Sequence, residues 1–92
     1  MCTYRTELFA VRGSAKGPAD WLRVTDASVY VDHPVHAMAG HTLNIDLRNP
    51  ARGPAARIAI ELHPDAAREL AEAILRSLAA VPDAVLEEGP GR

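Results

Sequence analysis

The stretch ASVYVDHPVHAMAGHTLNIDLR, residues 27–48, decides the fold. Its opening residues alternate: Val29, Val31 and His33 share one parity, and Ser28, Tyr30 and Asp32 the other. Its closing residues do the same, with His41, Leu43, Ile45 and Leu47 against Thr42, Asn44, Asp46 and Arg48. A period of two marks strands with one face on a core. Consecutive strands usually pair, so the stretch predicts an antiparallel hairpin.

Further strands flank it. TYRTELFAVR (3–12) reads as a first strand, rich in β-branched and aromatic residues. GSAKGPAD (13–20) reads as a loop on its glycines and proline. WLRVT (21–25) is a short strand or an ordered approach to the next one. NPARGPA (49–55) is a turn, and ARIAIELH (56–63) points Ile58, Ile60 and Leu62 inward and Arg57 and Glu61 outward.

The period then changes. Pro64 suits the first helical position, where its missing N–H leaves nothing unpaired. Asp65 favours the positive end of the helix dipole. Ala67, Leu70, Ala71, Ile74, Leu75 and Leu78 form one apolar stripe, and Glu72 and Arg76 pair on the outer face. Pro82 ends the helix. The expected fold is α+β: a four-stranded antiparallel meander with one C-terminal helix on one face, β-β-β-β-α. It forms a single domain over 1–82, followed by a flexible tail, 83–92.

Composition narrows the function. Ninety-two residues make one domain. A chain so short leaves much of its apolar surface uncovered, so a homodimer or a bound metal is the expected supplement. The formal charge of −2 lacks the basic excess of a nucleic-acid binder. One cysteine allows no internal disulfide. No leader segment is legible at MCTYRTELF, and no apolar run would span a bilayer. The expected location is the cytoplasm, with neither nucleic acid nor membrane as partner.

Three of the four histidines fall between 33 and 41. If the hairpin ends meet, His33 and His41 lie opposite each other, about 5 Å apart at Cβ. His36, in the connecting loop, can fold back as a third ligand, and Cys2 as a fourth. A Cys-His-His-His set fills a zinc tetrahedron, whereas three histidines leave room for a water. The plainer account makes His33 and His41 the ends of a hairpin and His36 a solvated loop residue. His63 reads as a surface or capping residue before the helix. Arg48, Arg52 and Arg57 could hold an anion, or simply line a solvated turn. GSAKGP (13–18) lacks the full phosphate-loop spacing.

MCTYRTE (1–7), the GSAKGP loop followed by Trp21, DHPVHA (32–37), HTLNIDLRNPARGP (41–54) and ARELAEAI (67–74) occur together and in that order. In these pieces the chain resembles a family of short bacterial proteins of unknown function, found mainly in high-GC Gram-positive bacteria. The resemblance spans nearly all of residues 1–80 and leaves out the tail after Pro82. It implies a free-standing small protein and assigns no catalytic or binding residue.

Three functions follow as expectations. The first is a small zinc-binding protein with His33, His36, His41 and Cys2 as ligands, acting on a small metabolite where an open coordination position remains. The second is a metal-free homodimeric module that holds a ligand or protein on the polar sheet face around Tyr30, Asn44 and Asp46. The third is a metal-free enzyme with a histidine base, aided by Asp32 or Asp46.

Overall fold

A computed structural model describes residues 4–87. Among these, four strands form one antiparallel sheet in the order β1-β2-β3-β4: β1 Thr6–Lys16, β2 Trp21–Asp32, β3 Thr42–Arg48 and β4 Arg57–Leu62. Helix α1 spans Pro64–Ala79. A helical turn α2, Asp83–Leu86, follows where the sequence suggests a frayed tail. The α+β meander expected from the two periodicities is the observed fold.

The first hairpin is longer than its residues suggest. β1 runs on to Lys16 and β2 starts at Trp21, so GSAK is strand, and the loop shrinks to 17–20, closed by Gly17 N–H donating to the Asp20 carbonyl at 2.9 Å. Ladder pairing outweighs the poor strand propensity of Gly13. The cost shows as a bulge: Ala10 faces Asp26 but Gly13 faces Val24, so β1 holds one extra residue.

The second hairpin keeps its predicted register, with Val29 opposite Ile45, Tyr30 opposite Asn44 and Asp32 opposite Thr42. Between β3 and β4, a 3₁₀ turn at Pro50–Arg52 is stopped by Gly53, whose φ of 97° is costly for any residue with a Cβ. Gly53 donates its N–H to the Pro50 carbonyl at 3.1 Å.

Register sorts the sheet into two faces. Ala27, Val29, Val31, Leu43, Ile45, Leu47, Ile58, Ile60 and Leu62 share the apolar face, and Ser28, Tyr30, Asp32, Thr42, Asn44, Asp46, Ala59 and Glu61 the polar one. Burial does not follow polarity. Among the described residues only Val24 and Ala27 are buried apolar side chains, whereas Ser28, Thr42, Asn44 and Asn49 are buried polar ones. The reason lies in α1. One residue, His63, separates β4 from the helix, and α1 approaches the sheet chiefly along β3. An apolar groove of about 460 Å³ stays open between Val29, Val31 and Ile45 on the sheet and Leu70, Ala71 and Ile74 on the helix. The apolar stripe of α1 is correspondingly bare: Leu70 is 43 % exposed, Ile74 51 %, Leu75 66 % and Leu78 49 %. No helix among the described residues is long and apolar enough to cross a membrane.

Candidate functional site

The β2–β3 register carries one step past the strands, so residues 33 and 41 face each other. Their rings stack, with centroids 4.5 Å apart and planes tilted by 33°. His33 Nδ1 lies 3.0 Å from the Gly40 carbonyl oxygen. A carbonyl only accepts, so this bond fixes the Nδ1–H tautomer and leaves the Nε2 lone pair available. Tyr4 meets the His41 ring edge-on at 5.9 Å. His36 does not complete a cluster: among the described residues no three His, Cys, Asp or Glu side chains converge as a metal site. Cys2 lies outside the described residues. His63 gives α1 no side-chain capping bond, and Asp65 instead accepts from the Ala66 N–H at 2.9 Å.

The connecting loop folds onto the polar face, held by one side chain. Glu61 sits on β4 opposite Asn44. Its carboxylate accepts three successive backbone N–H groups: Val35 at 2.6 Å, His36 at 3.0 Å and Ala37 at 2.9 Å. These bonds, Ala37's foremost and then Val35's, hold the Glu61 pKa below its ordinary value. The sequence placed Glu61 outward correctly but carried no sign of this role, because its partners are backbone groups some 25 residues away.

Beneath the loop lies a polar cleft of about 150 Å³, lined by Tyr30, Asp32, Asn44, Asp46, Arg57 and Glu61 among others. Arg57 grips Asp46 Oδ1 with Nη2 at 2.8 Å and Nε at 3.1 Å. The Tyr30 hydroxyl donates to Asp46 Oδ2 over a long 3.3 Å. Burial first, and the Asp46 charge second, push the Tyr30 pKa above 10.0. Thr42 Oγ1 donates to Asn44 Oδ1 at 2.7 Å. Of the arginine trio of the sequence, Arg48 and Arg57 sit opposite each other on the β3–β4 ladder, but both are engaged: Arg57 is committed to Asp46, and Arg48 Nη2 donates to Ser28 Oγ at 3.0 Å. Neither arginine is held ready for an anion.

An open four-stranded meander with a trailing helix, a histidine pair at one hairpin end and a polar cleft on the face away from the helix defines a small antiparallel α+β domain. The chain belongs to the DUF6295 family, a family of unknown function whose model matches residues 1–87. The match takes in residues 83–87, beyond the end at Pro82 that the sequence resemblance suggested. No curated protein and no solved structure matches the chain.

Proposed function

We propose that the protein is a homodimeric binding module in which a second copy covers the apolar sheet face and α1, leaving the polar face for recognition. The observation that carries this reading is exposed area. A compact monomer of 9.9 kDa exposes about 5,200 Å², whereas this chain exposes 7511 Å². The radius of gyration, 15.1 Å, exceeds the roughly 12 Å of a compact 92-residue domain in the same sense. If a partner hid only half of the excess on each copy, the interface would still bury about 2,300 Å² in total, within the range of obligate homodimers. The open groove and the bare helix stripe lie side by side. A symmetric pair can therefore lay each α1 against the other copy's groove, an isologous arrangement. Sedimentation equilibrium on the full chain tests it: a dimer mass at micromolar concentration is expected, and a monomer mass throughout overturns it. A reducing, cytoplasmic setting fits the lone cysteine.

The stacked imidazoles favour a second reading, in which zinc binds at the hairpin end. His33 Nε2 and His41 would supply two ligands. The Gly40 carbonyl orients His33 as backbone carbonyls orient metal-bound histidines. Two further ligands must come from other groups, with Cys2 the nominee from the sequence. Metal analysis of untagged protein, with and without His33→Ala plus His41→Ala, tests it. Metal retained by the wild type and lost by the double variant supports zinc. Less than about a tenth of an equivalent after reloading overturns it, because a structural site holds its ion tightly.

A further inference from the structure

We infer that the polar cleft binds a small neutral amide, a carbonyl oxygen flanked by N–H groups, with the Asn44 side-chain amide as its anchor. The inference rests on the reading of the polar face as the recognition face, and it does not require the dimer, since every residue it uses belongs to one protomer.

Asn44 carries the argument. The residue is only 7 % exposed, yet its side chain makes one hydrogen bond among the described residues, through Oδ1 to the Thr42 hydroxyl. The Nδ2 group is left with two unused N–H donors. No side-chain nitrogen or oxygen among the described residues is both sealed from solvent and unpartnered. Nδ2 therefore reaches open space, and the space beside Asn44 is the cleft. A donor held this deep, with its orientation fixed from behind by Thr42, calls for an acceptor.

The walls select the acceptor's chemistry. Among the described residues, Asp46 and Glu61 line the cleft against a single guanidinium, Arg57, which Asp46 already occupies. A ligand carboxylate or phosphate would enter a surplus of negative charge. A bare ammonium would leave the Asn44 N–H groups without an acceptor. A neutral carbonyl oxygen satisfies them, and its neighbouring N–H groups can turn to Asp46 Oδ2, which among the described residues receives only the long bond from Tyr30. About 150 Å³ admits roughly five water-sized groups, enough for an amide or urea fragment. The loop clasped by Glu61 forms one wall, so the pocket is built before the ligand arrives.

The test is a titration of the ¹⁵N-labelled full chain with acetamide, acetate and ethylammonium in parallel, following the Asn44 side-chain NH₂ and the Ala59 and Glu61 amides. Acetamide is expected to shift these signals saturably, with a dissociation constant at least tenfold lower than either charged probe. Asn44→Asp keeps an acceptor for Thr42 but removes the donors, and should weaken acetamide tenfold or more. Ala59→Leu, on the exposed edge strand, fills the cleft without touching Asn44, and should abolish the shifts while leaving the melting temperature within a few degrees of wild type. If acetate or ethylammonium saturates these signals more tightly than acetamide, the ligand class is wrong while the recognition face stands. If no probe shifts them saturably, Asn44 only holds water, and both the inference and the recognition face fail.

Discussion

Ile74→Asp should dissociate the proposed dimer. Ile74 lies at the middle of the α1 stripe, 51 % exposed in the single chain, and lines the groove. Fully burying an aliphatic side chain of this size is worth about 1.5–3 kcal/mol, so burying its exposed half contributes about 1 kcal/mol. Leu70, Leu75 and Leu78 are exposed to a similar degree, and four such residues on two copies amount to about 8 kcal/mol. The substitution acts twice in a symmetric pair. It forfeits about 2 kcal/mol of burial and moves two carboxylates toward an apolar interface, at several kcal/mol each if they stay charged. Even a combined 4 kcal/mol raises the dissociation constant about a thousandfold. Sedimentation equilibrium reads that shift directly. The melting temperature gives an independent readout, since for a dimer it rises with protein concentration. Arg76→Asp, on the opposite side of α1, is the control and should leave the dimer mass unchanged. A wild type whose melting temperature is independent of concentration, or an Ile74→Asp protein that associates as tightly as wild type, would refute the reasoning.

The clasp and the cleft make predictions of their own. Glu61→Gln should loosen the loop, because a neutral amide oxygen accepts the N–H groups of residues 35–37 more weakly than a carboxylate does; faster hydrogen exchange at those amides checks it. The folded Glu61 pKa is depressed below 4.5, so its stabilisation is present above that value and fades as pH falls through the folded value. The difference in stability between wild type and Glu61→Gln should therefore shrink on acidification. Asp46→Asn should lower the Tyr30 pKa by removing a repelling charge and freeing Arg57, although burial keeps part of the shift. Absorbance titration in a Tyr4→Phe background isolates that phenol. The raised Tyr30 pKa stabilises the fold below pH 10.0, and this contribution is lost as pH rises through the folded value. Loss of the half-exposed Asp46–Arg57 fork should cost about 1 kcal/mol in chemical denaturation at neutral pH.

Much of this molecule was legible in its residues, for a local reason. Alternation over 27–33 and 41–48 fixed the central hairpin down to its register, because slipping a strand by one residue would turn Val29, Val31, Leu43 and Ile45 to the wrong face. That register in turn brought His33 and His41 together. The apolar stripe from Ala67 to Leu78 and the proline at 64 placed α1. Where local signals pointed the wrong way, as at GSAK, the ladder to β2 supplied hydrogen bonds that short-range propensity does not register.

Other features belong to the tertiary structure. Glu61 became a clasp and Asn44 a buried donor only when residues from separate strands and a distant loop met. The open groove between α1 and the sheet depends on where the helix comes to rest, which no periodicity encodes. The sequence marks which side chains avoid water, through the chemistry of each residue and its spacing along the chain. Whether enough of this same chain is near to cover them depends on where the elements come to rest, and here it leaves the apolar sheet face half covered and the stripe of α1 exposed.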